Sequence, residues 1–179
     1  MTTANKITIF RMLMIPVFLV LMYTDHVFIA MAVYAIACLS DVADGYIARH
    51  YNQVSNFGKF MDPLADKMLV LSAMCFFVDG GQMAGWVVAI VLFREFGVSG
   101  LRLVAVEQGK VIAAAKSGKL KTGVTMVSLG VMMVSPAWFV GAQGVIDTVA
   151  AVLIVVTTVY SGAEYFAKNI AVFQGNSNA

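Results

Sequence analysis

Four carboxylates, Asp41, Asp44, Asp62 and Asp66, fall within 26 residues of a chain that is otherwise largely apolar. Asp41, Asp44, Gly45 and Ala48 recur at i, i+3, i+4 and i+7, which is one stripe of a helix. Gly58, Asp62 and Asp66 are four apart and make a stripe on the next helix. Two antiparallel helices joined by a short connector bring these stripes together. Gly45, Ala48 and Gly58 remove bulk from the same faces, so that backbones or a ligand approach closely. Pro63 tightens or kinks the second helix beside Asp62. A carboxylate near the centre of a membrane helix costs about 2.5–3.5 kcal/mol on insertion scales. Four together also repel one another, and so require cations. An oxygen-only ligand set with no His or Cys at ligand spacing selects hard ions, Mg²⁺ first and Mn²⁺ second. One ion, or two bridged by the cluster, would bind phosphate oxygens and stabilise charge in an in-line displacement. Two other readings exist. The acids could form scaffold salt bridges with Arg49, Lys59 and Lys67, or they could mark a cation-transport or proton pathway. Ordered charge on two stripes with glycines between them is more than salt bridging needs.

The elements that position these acids follow from composition. The chain has 179 residues, 60% hydrophobic and 12% charged. Soluble domains hold about 45–50% apolar and about 25% charged residues, and one soluble core cannot hide the excess. The chain therefore reads as a single all-α, polytopic membrane domain over 1–179. Runs long enough to span predict six transmembrane helices, at about 7–24, 27–49, 59–78, 83–107, 119–140 and 144–170. The breakers expected between them include Thr24-Asp25-His26, Asp79-Gly80-Gly81-Gln82 and the segment from Pro136 through Gly144. If the six alternate in direction, all 12 basic residues fall toward one side, the side of the motif. Excess Lys and Arg mark the cytoplasmic face, so both termini are expected there. Lys6 and Arg11 before an apolar run resemble a secretory signal, but no convincing cleavage site follows, and the run is read as a retained first helix. Cys38 and Cys75 sit in apolar runs as packing residues, with no disulfide framework. Nothing suggests a nucleic-acid partner.

The spacing D-x2-D-G-x2-A-R-x8-G-x3-D-x3-D resembles the signature of the CDP-alcohol phosphotransferase family. Asp41, Asp44, Gly45, Ala48, Arg49, Gly58, Asp62 and Asp66 fill it without departure. The runs N-K-I-T-I-F-R at 5–11, R-H-Y-N-Q-V-S-N-F-G at 49–58, R-E-F-G-V-S-G-L-R at 94–102 and G-K-L-K-T at 118–122 are similar to family members that use glycerol 3-phosphate. The resemblance covers roughly residues 5–125. It implies a six-helix fold and metal binding by Asp41, Asp44, Asp62 and Asp66, with Mg²⁺ or Mn²⁺, two ions in the fullest reading. It also implies Asp66 as the general base, and Gly45, Ala48, Arg49 and Gly58 as a cradle for the cytidine and its phosphates. Ser55, Asn5 and Thr8 are further nucleotide candidates, against the simpler reading of capping or loop hydrogen bonds.

On this reading the donor is CDP-diacylglycerol in the lipid bilayer of an inner or plasma membrane, and the chain works as a homodimer. The acceptor is glycerol 3-phosphate; another phosphotransferase of the family, acting on an inositol phosphate, a phosphatidylglycerol or serine, is the alternative. Its phosphate needs positive charge. Glu95, Ser99 and Arg102 lie at i, i+4 and i+7, a polar stripe with Arg94 beside it, and Lys119 and Lys121 open the next helix. Arg94, Arg102, Lys119 and Lys121 are the expected acceptor-phosphate residues, Arg for its fork-like contacts. The competing reading is an internal salt-bridge network of Arg94, Glu95 and Arg102.

Overall fold

The computed structural model describes residues 3–50, 56–109, 112–113, 115–139 and 141–170. Within helices, the side chains at 3–4, 41–50, 56–60 and 62–63 lie outside that description. The described residues form six helices and no strand: α1 (Thr3–Tyr23), α2 (Val27–His50), α3 (Asn56–Asp79), α4 (Gly85–Glu107), α5 (Lys116–Trp138) and α6 (Gln143–Lys168). α2, α4 and α6 begin at the expected residue or close to it. α1, α3 and α5 start earlier than expected, because an apolar window does not register the polar turns that continue a helix past its apolar stretch.

The expected break between Pro136 and Gly144 falls after Trp138. α5 runs through Pro136 to that residue. Proline lacks the N–H that would bond the carbonyl four residues back. Here the hydroxyl of Ser135 reaches that carbonyl, on Met132, at 3.1 Å.

Buried residues recur every three or four positions along each helix. On α1 the stripe is Asn5, Thr8, Arg11, Ile15, Phe18 and Met22; on α4 it is Val87, Val91, Val98, Leu101 and Ala105. α1 packs on α2 and α3, α4 on α3 and α6, and α5 on α2, α3 and α6. Phe18, Tyr34, Leu69, Met74, Phe77, Val87, Leu129, Met132 and Ile154 share the main core; Val98, Leu101, Ala105 and Tyr165 make a smaller one.

Polar contacts gather at the two ends of the bundle. At one end the Tyr23 hydroxyl donates to Asp79 (3.1 Å), and buried Asp147 accepts from Ser135 (3.0 Å) and Gln82 (3.4 Å). The C-terminus of α2 and the N-terminus of α3 lie toward the opposite end, and so do the charged residues of the cavity described below.

The outward faces are apolar. Leu13, Val20, Leu39, Phe93, Phe96, Leu103, Val127 and Val145 are each more than 60% exposed, while Arg11 and Lys121 are buried. That inversion suits a lipid surround, where outward apolar groups cost nothing and inward polar groups find one another. By length and composition, Asn5–Tyr23, Lys116–Trp138 and Gln143–Lys168 could cross a membrane, and the apolar part of α2 covers Val27–Ser40. Together these features make the chain a membrane protein.

Candidate active site

Asp66 and Lys67 stand on α3 facing a cavity of about 230 Å³. α4 supplies Arg94, Glu95, Ser99 and Arg102 to its wall, and α5 supplies Lys121 and Thr122. The local reason is register. Glu95 falls four residues after Val91 and three before Val98, in the inward stripe of α4; Lys121 falls between Ser117 and Thr125 in that of α5. Placing ionised groups in inward stripes forces them to pair.

Glu95 is the hub. Its Oε1 accepts from Arg94 Nη1 and from Lys121 Nζ, both at 2.9 Å. Lys67 Nζ lies 3.8 Å from Oε2 and donates to Ser99 Oγ at 2.9 Å. Arg94 Nη2 donates to Ser161 Oγ of α6 at 2.6 Å. Arg102 Nε donates to the Tyr165 hydroxyl at 2.8 Å, with its guanidinium 5.5 Å from that ring's centre. Among the described lining residues, four cations (Lys67, Arg94, Arg102, Lys121) thus face two carboxylates (Asp66, Glu95). The salt-bridge reading of Arg94 and Glu95 holds, and it leaves Arg102 out: no carboxylate pairs with Arg102 among the described residues. The cavity can therefore take an anion.

Asp66 is held from behind. Arg11 of α1, fully buried, donates from Nη1 to Asp66 Oδ1 at 2.5 Å and from Nε to Ser40 Oγ at 3.4 Å. The Asp66 side chain is 30% exposed and lines the cavity, so the carboxylate is both anchored by Arg11 and accessible.

Among the expected residues, Asp66, Arg94, Arg102 and Lys121 share this cavity. Lys119 does not line it and is exposed on α5. Two residues apart on a helix, Lys119 and Lys121 point to different sides, and only one can face inward. Asn5 and Thr8 are buried on the Arg11 face of α1. Asp41, Asp44, Gly45, Ala48 and Arg49 fall within α2, and Gly58 and Asp62 within α3, but their side chains, like the whole of Ser55, lie outside the described residues. Arg11 was not foreseen. A signal existed for Arg11, since Asn5, Thr8 and Arg11 share the spacing of one helix face. Lys67, read from the sequence as a possible salt-bridge partner of the motif acids, stands instead 3.8 Å from Glu95 and hydrogen-bonded to Ser99.

No group of three potential ligands gathers among the described residues, of which Asp66 is the only motif acid with a described side chain. The donor chemistry of the motif, carboxylates on two contacting helices, fits a hard divalent cation.

Arg94 reaches the cavity between two glycines. A Cβ on Gly162 would lie 3.3 Å from Arg94 Cγ, and one on Gly118 3.2 Å from its Nη2. The Gly118 contact is with the far end of a flexible chain, whereas the Gly162 contact is near its root. Gly162→Val should therefore cost about 1–3 kcal/mol, as overpacking does. Unfolding of the detergent-solubilised variant measures this, and an unchanged midpoint would mean that Arg94 has another path.

Comparison with known proteins bears on all of this. Residues 1–160 match the family model described as CDP-alcohol phosphatidyltransferase. The chain is 37% identical over 180 residues to a CDP-diacylglycerol--glycerol-3-phosphate 3-phosphatidyltransferase of Bacillus subtilis, covering 92% of this chain and 93% of that one. It is 37% identical over 168 residues to the Escherichia coli K12 protein of the same name, covering 89% and 90%. A probable phosphatidylglycerophosphate synthase of Mycobacterium tuberculosis is 37% identical over 171 residues, covering 92% of this chain and 80% of the relative.

Proposed function

The chain belongs to the CDP-alcohol phosphatidyltransferase family, and from that premise we propose that it transfers the phosphatidyl group of CDP-diacylglycerol to glycerol 3-phosphate, releasing CMP. The observation that carries the acceptor is the cavity beside Asp66, where Lys67, Arg94, Arg102 and Lys121 outnumber the carboxylates among the described lining residues. A neutral alcohol would not need it. In this reading Asp66 removes the proton from the terminal hydroxyl of the acceptor. That oxygen forms a bond to the phosphorus of the phosphatidyl group, the bond from that phosphorus to the CMP oxygen breaks, and CMP leaves. A base must reach the proton it takes, and a carboxylate that is anchored by Arg11 and lines the cavity meets that need.

Arg102 and Lys67 are the cations best placed to hold the acceptor's phosphate. Arg102 spends only Nε on Tyr165, which leaves its outer nitrogens for a forked contact. Arg94 and Lys121 are committed to Glu95 and set the field of the pocket. Lys119, outside the cavity, stays in the proposal as a surface cation that draws anions toward the mouth. Asp41, Asp44, Asp62 and Asp66 would hold Mg²⁺ or Mn²⁺, two ions in the fullest form, and bound metal supplies charge to the pyrophosphate of the donor. Gly45, Ala48, Arg49, Ser55 and Gly58, with Asn5 and Thr8 of α1, would receive the nucleotide.

The wider setting belongs to the same proposal. All six helices span, both termini and the site lie at the cytoplasmic face of an inner or plasma membrane, and the protein works as a homodimer. The one-sided distribution of Lys and Arg supports the orientation, and family resemblance supports the dimer.

The test is acceptor competition. Purified protein with CDP-diacylglycerol in mixed micelles should release CMP with glycerol 3-phosphate and not with serine, an inositol phosphate or phosphatidylglycerol. CMP release with one of those and none with glycerol 3-phosphate would replace the assignment.

A further inference from the structure

Within the reading of glycerol 3-phosphate as acceptor, we infer that Glu95 accepts a hydrogen bond from the acceptor's middle hydroxyl and so selects a phosphate ester that carries a neighbouring diol. The two oxygens of Glu95 are used unequally. Oε1 takes two charged donors at 2.9 Å. Among the described residues Oε2 has only Lys67 Nζ, at 3.8 Å and beyond hydrogen-bond reach, and that ammonium donates to Ser99 instead. A carboxylate has about four lone-pair sites, and a mostly buried one that lacks donors is costly.

The neighbours exclude the simpler roles. Lys121 and Arg94 both make their hydrogen bonds to Oε1, so Oε2 is not used in holding them. A second carboxylate oxygen beside a pocket for a dianion repels the phosphate unless something else occupies it. A phosphate dianion has no proton to donate, whereas a hydroxyl of the acceptor does, and Glu95 is partly exposed to the cavity. Glycerol 3-phosphate has two hydroxyls. The terminal one gives its proton to Asp66, and the middle one remains. Positions follow from α4. Glu95 and Arg102 lie roughly 10 Å apart along the axis, with Ser99 and Lys67 between them on the cavity side. The phosphate sits toward Arg102 and Lys67, and the carbon chain runs back toward Glu95 and Asp66.

The experiment compares three acceptors by CMP release: glycerol 3-phosphate, 3-hydroxypropyl phosphate, which lacks the middle hydroxyl, and 3-hydroxy-2-fluoropropyl phosphate, whose fluorine can accept but not donate. In the native protein both analogues should lose about tenfold or more in kcat/KM, the scale of a hydrogen bond to a charged group, chiefly through KM. The fluoro compound should be as poor as the deoxy compound. In Glu95→Ala the three acceptors should converge to within about threefold from a lower common level, since the missing bond was the source of the difference. A fluoro analogue as good as glycerol 3-phosphate would overturn the assignment, because the hydroxyl would then be accepting. So would a discrimination ratio unchanged in Glu95→Ala, or equal use of all three by the native protein. If Glu95→Ala does not fold, the three acceptors are compared in Glu95→Gln, whose neutral oxygen accepts more weakly, so the discrimination should shrink severalfold, and an unchanged ratio overturns the assignment. Failure of glycerol 3-phosphate alongside turnover of an unrelated alcohol is a different result, and removes the acceptor assignment together with the role of Glu95.

Discussion

Asp66→Asn should lose CMP release by about 10²–10⁴-fold, the usual contribution of a positioned general base. The substitution keeps the shape of the side chain and an oxygen for Arg11 to bind, but the amide cannot take the acceptor's proton. Retained nucleotide binding separates this loss from collapse of the site, and protection of the purified variant against thermal unfolding by CDP measures it. Some stability is lost as well. Arg11 is fully buried, and the neutral amide offers it a weaker hydrogen bond than the carboxylate does; losing a charged partner of this kind costs about 1–3 kcal/mol. Turnover near the native rate would remove Asp66 as the base.

Arg11→Met should leave a folded protein whose turnover falls by about 10²-fold, the scale of a misplacement of ~1 Å in a reacting group. The stability cost should be smaller than for Asp66→Asn, although the same ion pair is broken. Asp66 is 30% exposed and can be hydrated once Arg11 is gone, whereas Arg11 at 0% cannot. Arg11→Lys should not restore the rate. A single ammonium on a flexible stem cannot reproduce a planar fork that reaches Asp66 and Ser40 together. Steady-state CMP release and detergent unfolding of the two variants and of the Arg11–Asp66 double variant check this. The pair should show a coupling energy of about 0.5–3 kcal/mol, as contacting residues do. Native turnover in Arg11→Met would show that Asp66 needs no support from α1.

Both predictions concern a contact between residues 55 positions apart. The spacing of Asp41, Asp44, Asp62 and Asp66 is legible along the chain because helical geometry converts three- and four-residue steps into shared faces. For the same reason the Glu95, Ser99 and Arg102 stripe could be read in advance, and all three do line one cavity. Lys119 shows the limit of reading charge by cluster. Grouped with Lys121 by nearness in sequence, it stands exposed, because two residues turn a helix through roughly 200°. Pro136 is tolerated inside α5, as the expected span to 140 required, where the Ser135 hydroxyl, shared with Asp147, reaches the carbonyl that the proline orphans.

The six apolar segments, the family signature and the polar stripe of α4 are properties of local order, since composition and spacing alone specify which residues share a helix face. Which faces meet is a different matter. That Arg11 lies behind Asp66, that Lys121 and Arg94 are spent on one oxygen of Glu95, and that Arg102 is left facing the cavity with no acid partner among the described residues all depend on how α1, α4, α5 and α6 pack. Those contacts join residues remote along the chain. They are set by the burial of whole helix faces, with each inward charge taking the partner that the packing brings within reach.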